Sequence, residues 1–255
     1  MSNNEEQDNE DFPVIESLEE LEALIAAGED LTGIDLAGMD LCDAKLGGAK
    51  FEGADLSGAK LENADLTKAN LQGASLAGAI LIGAKLEGAN LTEADMAGAV
   101  LEGASCKGAD FTRADMAGAR APNADLSEAT FEEATLAGGY FESANFERAN
   151  FTGADCSGAV LMNVNASRTQ FEDADLSGAT LSESKFEGAI LIGADISGAD
   201  ASFTVFANAD LSGADFAGAD LQEADFTGAD LSDAEFGGAT LEGTTFDEGK
   251  GPKSS

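Results

Sequence analysis

The side chains of this chain that could do chemistry are carboxylates and three thiols. Histidine is absent, which removes the commonest general base and metal ligand at neutral pH. Cys42, Cys106 and Cys156 are too far apart for a CxxC metal motif, and three cysteines give no disulfide framework. The glycines form no GxxxxGK[ST] phosphate-binding loop. The sequence therefore predicts a protein that is not an enzyme, with no catalytic residue, no cofactor and no metal.

The charge balance is strongly acidic. The 255 residues include 49 Asp and Glu against 13 Lys and Arg, a formal net charge of −36. Such a chain repels free nucleic acid and anionic membranes. We therefore expect a protein partner, no direct nucleic-acid binding and no membrane contact. The unpaired cysteines and the lack of an apolar leader predict a cytoplasmic protein; export by a dedicated secretion system stays open.

An uninterrupted five-residue period runs from Leu31 to Phe246. Its 44 central positions hold 23 Leu, 13 Phe, two Met, two Cys, one Ile and three Ala, and the residue two before the centre is Ala in 35 of them. Neither a straight α-helix nor a flat β-strand places an apolar residue every five positions on one side. The chain must turn in each unit, with the alanine and the centre inward and the polar residues outward.

The unit is clearest in GADLSGAKLENADLTKANLQGASLAGA, residues 53–79. It resembles the A-(D/N)-L-x-x motif of the pentapeptide-repeat family, and the resemblance extends over the whole periodic region from Leu31 to Phe246. The resemblance implies an all-β fold: a right-handed quadrilateral β-helix with four units in each coil. The 44 units then predict about 11 coils, and a rod about 50 Å long at ~4.8 Å per coil.

Stacking of each coil on the one before it predicts the contents of the core. One interior column holds Phe111, Phe131, Phe151 and Phe171, and another holds Phe186, Phe206, Phe226 and Phe246. Cys106 and Cys156 occupy centres and are expected to be small buried apolar residues. Cys42 follows a centre and is expected to be exposed.

Four segments are predicted along the chain. Ser17 and Glu20 form a capping-box pattern, and Gly28 suits the end of a short helix that covers the first coil. The sequence after Phe246 contains no apolar helix, whereas members of the resembling family that dimerise end to end carry a C-terminal helical module, so we expect a monomer. The segments are a disordered acidic tail (1–12), the N-terminal capping helix (13–28), the β-helix (29–248) and a disordered tail (249–255).

Three places depart from the repeat. Ala121 is a small centre beside Pro122, which cannot donate to a β-ladder. In residues 163–170, Val164, Ala166 and Thr169 stand where the repeat has Ala, Leu and Ala. In residues 201–206 the centre is Ala201. Either these places are neutral drift, or they are bulges that shape a binding face. Three alanine centres predict local rearrangement of the core, because an unfilled cavity is costly.

One outward column is apolar where the repeat normally has Asp or Asn. An exposed apolar patch of this kind is typical of a protein interface, although single apolar surface residues are common. The four residues Ile190, Ile192, Phe203 and Val205 are a second candidate patch. The candidate partner interface consists of Ile80, Val100, Arg120, Tyr140 and Val160, each one coil after the last, with Ile82, Pro122 and Met162 alongside.

The last coils form a second candidate surface, which is acidic. Residues 187–248 contain 14 acidic residues and no basic one, a linear charge density comparable to that of B-DNA, which carries one charge per about 1.7 Å. Aspartate at a turn also satisfies neighbouring backbone donors, so a purely structural role is the alternative. The candidate acidic surface consists of Asp195, Asp200, Asp210, Asp215, Asp220, Asp225 and Asp230.

Two functions fit these surfaces. The first is a non-catalytic protein-interaction module or scaffold. The segment that opens the repeat, LEALIAAGEDLTGIDLAGMDL (21–41), looks like pentapeptide segments of bacterial secretion-associated proteins, including type VI systems. The second is a DNA mimic that binds and modulates a type II topoisomerase such as gyrase, a role that the family resemblance implies for acidic rods of similar fold.

Overall fold

The computed structural model describes residue 15, residues 17–248 and residue 251. The acidic tail predicted for residues 1–12 lies outside the described residues, as does the tail predicted for 249–255 apart from residue 251. Within the described part, secondary structure consists of one α-helix followed by a long succession of tight turns and single-residue β-bridges.

Each five-residue unit is a turn followed by a short extended step. In a typical unit, the amide of Ala59 donates to the carbonyl of Leu56 (3.0 Å), which closes the turn. The third residue of that turn, Gly58, has a φ of 61°, the left-handed conformation that a type II turn requires and that glycine adopts without strain. Glycine therefore recurs at this position because the chain turns there.

Parallel bridges join each unit to the unit four places further along the chain. They begin at Asp30 with Lys50 and continue every fifth residue to Asp225 with Thr245. Each centre donates its amide to the next coil in the same way, as when Leu56 donates to the carbonyl of Ser75 (2.7 Å). Four units complete one coil, and the predicted fold class, a right-handed quadrilateral β-helix with one short N-terminal helix, is confirmed.

The rod has four faces, which we number by their bridging columns. A unit supplies one face and the corner that follows it. The faces carry outward columns that begin as follows: first face, Asp30, Lys50 and Asn70; second face, Asp35, Asp55 and Ser75; third face, Asp40, Lys60 and Ile80; fourth face, Lys45, Asp65 and Lys85.

Helix α1, Leu18–Ala27, lies at the start of the rod. Ser17 accepts the amide of Glu20 (3.2 Å) as the N-cap, and Gly28 ends the helix at a φ of 77°. Leu21 is fully buried in the core of the first coils. The helix also satisfies an open ladder position, because the carboxylate of Glu22 accepts the amide of Lys45 (2.8 Å). These contacts cover the first coil, whose backbone edge would otherwise be exposed.

The core is a stack of apolar layers in which equivalent side chains lie directly above one another. The rings of Phe131 and Phe151 are parallel, with centroids 4.5 Å apart, and those of Phe151 and Phe171 repeat that spacing. Phe146 meets Phe151 edge-on, at 5.1 Å and 77°. The second predicted column, from Phe186 to Phe246, stacks at 5.0 to 5.4 Å. The final coil is less enclosed, and its centres, such as Phe236, are only partly buried.

The places that break the repeat do not break the coil. Pro122 occupies the second position of a turn, where proline is favoured, and its carbonyl still accepts the amide of Gly103 (3.0 Å). The ladder never uses the amide that proline lacks. Ala121, Ala166 and Ala201 are fully buried centres, and bridges continue through all three units. Of the two alternatives, drift or bulges, the structure shows no bulge in these units.

A large centre and a glycine stand one coil above one alanine centre. Phe141 lies one coil above Ala121, and Gly139 stands where the repeat has alanine. A Cβ on Gly139 would lie 2.5 Å from the Phe141 ring and 3.0 Å from the carbonyl of Leu136. The missing methyl group thus makes room for the Phe141 ring.

In the irregular run 163–170, a buried hydroxyl group forms hydrogen bonds with two backbone groups that do not bond to each other. Ser184 is fully buried at a position normally held by alanine. Its hydroxyl donates to the carbonyl of Leu161 (2.7 Å) and accepts the amide of Val164 (3.0 Å). In a regular unit these two backbone groups would bond to each other across the turn, as at Ala59 and Leu56. The serine is inserted between them, so both stay satisfied inside the core.

Candidate protein-binding surface

The five residues predicted to stack on one outward column do lie side by side. Bridges pair Ile80 with Val100, Val100 with Arg120, Arg120 with Tyr140, and Tyr140 with Val160. The column spans four coil steps on the third face, about 19 Å at the usual interstrand spacing. Ile82, Pro122 and Met162 flank it from neighbouring turn positions. We call these eight residues the apolar belt.

The centre of the apolar belt is a linked polar and aromatic group. The Arg120 guanidinium lies 4.8 Å from the centroid of the Tyr140 ring, a cation–π contact. The Tyr140 hydroxyl donates to the carboxylate of Glu142, and this hydrogen bond raises the pKa of Tyr140. Arginine, tyrosine and glutamate therefore hold one another in place, and the phenol stays neutral and able to donate.

Carboxylates alternate with the apolar residues along one edge of the belt. The column that holds Ile82, Pro122 and Met162 also holds Glu62 before them and Glu102 and Glu142 between them. Ile82 is the most exposed of the apolar residues in the belt, at 40%. The third face thus presents apolar and aromatic groups beside a row of negative charge, which fits a partner surface that is apolar at its centre and basic at one rim.

The second candidate patch is divided by the fold. Ile190 and Ile192 lie on the first face, whereas Phe203 lies at the corner between the third and fourth faces, beside Val205 on the fourth. The four residues belong to one turn of the coil, but they point away from the rod on different sides. The residues are close in sequence, but the coil places them on different sides of the rod, so they do not form one patch.

The seven aspartates of the candidate acidic surface encircle the rod. They lie on all four faces, so they form no single patch. Each uses one carboxylate oxygen to accept the backbone amide two residues later, for example Asp195 with Ser197 at 2.9 Å and Asp215 with Ala217 at 2.7 Å. At Asp30 the hydroxyl and amide of Thr32 donate in this way (2.7 and 3.1 Å) and lower the pKa of Asp30. Structural and electrostatic roles therefore coexist in these residues.

Positive charge is concentrated on one face of the rod, and this becomes visible only when the charged residues are assigned to faces. Of the 36 acidic and 11 basic residues between positions 31 and 246, the fourth face carries seven of each and is neutral overall. The second face has nine acidic residues and no basic one. The negative field therefore belongs to the first three faces. The basic residues of the fourth face are Lys45, Lys68, Lys85, Lys107, Arg148, Arg168 and Lys185.

The three thiols are poorly suited to chemistry. Cys106 and Cys156 are fully buried centres, and burial raises the pKa of each. Cys42 is partly buried rather than exposed, because its Sγ lies against the carboxylate of Glu62 at 3.1 Å. Hydrogen bonding to Asp40 and then to Glu62 raises the pKa of Cys42 to about 12. At neutral pH the reactive thiolate form of Cys42 is therefore scarce.

Neither a metal cluster nor a membrane span is present in the described residues. Within them, no three His, Cys, Asp or Glu side chains are grouped so that they could hold a metal ion. Helix α1 is too short to cross a bilayer, and it is the one helix in the described part of the chain.

The fold and its surfaces define a β-solenoid protein in which five residues make one side of a square coil. A family model for pentapeptide repeats matches the chain in eight copies between residues 30 and 247. The chain belongs to the pentapeptide-repeat family. None of the curated proteins compared with the chain matches it.

Solved structures with the same fold include two informative relatives. HetL, a pentapeptide repeat protein involved in heterocyst differentiation regulation in the cyanobacterium Nostoc sp. strain PCC 7120, is 31% identical, with a TM-score of 0.60 over 88% of this chain and 96% of its own. A trypsin-treated form of QnrB1, a plasmid-mediated fluoroquinolone resistance protein, is 26% identical, with a TM-score of 0.53 over 73% of this chain and 88% of its own.

Proposed function

We propose that this chain is a non-catalytic protein-interaction scaffold and that the apolar belt of the third face binds its partner. The observation that carries the proposal is the continuous column from Ile80 to Val160, where apolar and aromatic groups replace the polar residues usual at outward positions. An exposed contiguous apolar surface beside polar residues is typical of protein interfaces.

The composition of the belt supports the same function. Tyrosine and arginine are enriched among the residues that dominate binding energy, particularly at the centre of an interface. Here Arg120 and Tyr140 are central, stacked and already held by Glu142. Because their geometry is fixed before binding, little side-chain entropy is lost when the partner arrives.

The belt can be tested by replacing its aliphatic and aromatic groups with aspartate. Aspartate is the usual residue at these outward positions and accepts the amide two residues later, so the coil should be retained. A pull-down from the native host, followed by an affinity measurement with the protein recovered, should show binding weakened by at least about 30-fold, as expected when hot-spot contacts worth ~2 kcal/mol are lost. The belt variant carries Ile80→Asp, Val100→Asp, Tyr140→Asp and Val160→Asp.

A matched control separates the loss of apolar contacts from added charge. It adds four aspartates at the same position of the repeat on other faces. Unchanged partners in the belt variant, or equal losses in both variants, would contradict the proposal. The control carries Ser75→Asp, Ser105→Asp, Thr130→Asp and Thr135→Asp.

The proposed setting of this scaffold is a bacterial cytosol, with a link to protein secretion of the type VI kind. The similarity of residues 21–41 to segments of secretion-associated proteins supports the link. We expect the scaffold to act as a monomer, because a net charge of −36 opposes close approach of two copies.

DNA mimicry is the second candidate function. It is favoured by the base-free segment 187–248, with its 14 acidic residues, and by similarity in fold to a fluoroquinolone resistance protein. A basic groove that normally encloses DNA could enclose the three negative faces. The proposed target is a type II topoisomerase such as gyrase.

A gyrase supercoiling assay tests the mimic directly. At micromolar protein, we expect altered supercoiling or protection from a quinolone, and an effect that weakens as salt screens the charges. Substituting Asp200, Asp210, Asp220 and Asp230 by Asn removes four charges while keeping an oxygen for each turn, and should weaken the effect. No change in supercoiling or protection with the unmodified protein would exclude the mimic. The control variant removes the same number of charges outside the segment 187–248, by replacing Asp35, Asp55, Asp95 and Asp115 with Asn.

A further inference from the structure

The apolar belt repeats with two spacings along the rod. Members of its central column, from Ile80 to Val160, follow one another at every coil, about 4.8 Å apart. In the column beside it, Glu102 and Glu142 are two coils apart, about 9.6 Å. A partner that covers the belt must therefore present an apolar group at each shorter step and a basic group at each longer one.

Of the regular backbone conformations, the α-helix matches both spacings. A helix that lies along the rod returns to the same side after each turn, about 5.4 Å, and after each heptad, about 10.5 Å. The mismatch with the coils grows to about 2.4 Å over the four coil steps of the column, a distance that flexible side chains can accommodate. A strand returns to one side after about 6.6 Å and a polyproline helix after about 9.3 Å, so neither would contact every member of the column.

The carboxylates of Glu102 and Glu142 are open to basic residues of a partner. Within the described part of the chain, neither of them forms an ion pair, and the corner residue after each is uncharged. Arg120, the one base in the third-face units that form the belt, lies over the Tyr140 ring. The fourth-face units beyond the corner are acidic overall, with two bases and three acids: Lys85, Lys107, Glu87, Asp125 and Glu128.

The opposite side of the belt leaves room for the body of a helix. The corner between the second and third faces has a glycine in every coil beside the belt, and a Cβ added to any of these glycines would meet no other part of the chain within 4 Å. The residue before each glycine is Ala or Ser. A helix about 10 Å in diameter can therefore approach the column without meeting a long side chain. The glycines are Gly78, Gly98, Gly118, Gly138 and Gly158.

We propose that the apolar belt docks an amphipathic α-helix of a partner protein, which lies along the rod axis. The apolar stripe of that helix covers the column from Ile80 to Val160, and one lysine or arginine in each heptad meets Glu102 or Glu142. Tyr140, which contacts Arg120 and Glu142, lies within the covered surface. The inference rests on the function proposed for the belt and adds the shape and charge pattern of the partner.

A designed peptide tests the shape of the partner. It has about 18 residues, ~27 Å as a helix, with a leucine at each turn on one side and a lysine in each heptad at the edge of that side. One tryptophan in the peptide reports binding, because this chain contains none. Titration with the unmodified protein should shift the tryptophan emission saturably. Circular dichroism should show that the peptide gains helicity, since a helix of this length is marginal in isolation.

Two comparison peptides test the spacing. The first has the same composition, with its lysines moved to the opposite side of the helix. It should bind about five-fold more weakly, the factor expected when two exposed ion pairs are lost. The second is rich in proline, with a lysine at every third residue, and should also bind more weakly than the helical peptide.

The carboxylates are tested by a pair of matched variants. Glu102→Gln with Glu142→Gln should weaken binding of the helical peptide about five-fold and flatten its salt dependence, because both rim charges are removed. Glu132→Gln with Glu172→Gln removes the same charge from the first face. These two residues occupy the same position of the repeat and are likewise two coils apart, so this control should bind the peptide as the unmodified protein does.

Three outcomes would overturn the proposal: no gain of helicity on binding, tighter binding of the proline-rich peptide, or equal weakening in both double variants, which would indicate general attraction to an acidic rod. The pull-down with the belt variant answers a separate question. If that variant loses its native partners and the helical peptide does not bind, the belt remains the interface and only the helical partner is rejected.

Discussion

Phe151→Ala is expected to lower the free energy of unfolding by about 3–5 kcal/mol, the usual range for a buried phenylalanine. Phe151 is fully buried, and its ring stacks on Phe131 and on Phe171, both at 4.5 Å. Phe146 closes the layer edge-on at 5.1 Å. Removing one ring therefore leaves a cavity and breaks two stacked pairs together.

The size of this effect reflects the architecture of the rod. Each coil contacts only its two neighbours, so stability is approximately a sum of coil terms and interfaces between coils. A cavity at Phe151 weakens two interfaces in the middle of the rod, and no distant contact compensates for them. Guanidinium denaturation, followed by far-ultraviolet circular dichroism, would measure the loss.

Phe151→Leu is the matched control. Leucine is the commonest centre of the repeat, and it fills more of the space than alanine does. We expect Phe151→Leu to cost clearly less than Phe151→Ala, because the cost depends on the cavity that remains. A loss of less than about 1 kcal/mol for Phe151→Ala would mean that the neighbouring rings close the cavity, and would contradict the rigid stack described above.

Ser184→Ala is expected to destabilise the fold by about 1–3 kcal/mol, even though alanine is the usual residue at this position of the repeat. The Ser184 hydroxyl connects the amide of Val164 to the carbonyl of Leu161. Without the hydroxyl, a donor and an acceptor are left unpaired in the core, and that penalty exceeds the gain from a better match to the repeat.

A double substitution distinguishes this explanation from simple loss of packing. When Val164→Ala accompanies Ser184→Ala, both positions return to the regular unit, and the amide at 164 can again bond across its turn to Leu161. The double variant should therefore be more stable than the sum of the single losses predicts. Ser197→Ala, at an outward position of the second face, should change stability by less than about 0.5 kcal/mol. Additive losses would reject the inserted-hydroxyl explanation.

The candidate surfaces differ in how far the sequence could reveal them. The apolar belt was predictable, because a period of five and a coil of four units place Ile80, Val100, Arg120, Tyr140 and Val160 in one line. The cation–π contact and the Tyr140–Glu142 hydrogen bond were not, since they depend on side-chain conformations. Phe203 was visible as an apolar residue outside the core, but its positive φ required coordinates.

The sequence alone determined that the chain coils, because a leucine at every fifth position can be buried only if the chain turns in each unit. It also determined the excess of negative charge. The stacked phenylalanine columns followed only when the family resemblance supplied four units in each coil. Only the tertiary structure decided how the irregular units are accommodated: Gly139 makes room for Phe141, Ser184 joins two backbone groups, and Pro122 sits where no amide is needed. The Ser184 contacts join residues about a coil apart, and a local pattern does not encode the distances between them. The same reason explains why the charges divide into three negative faces and one neutral face only when the chain is coiled.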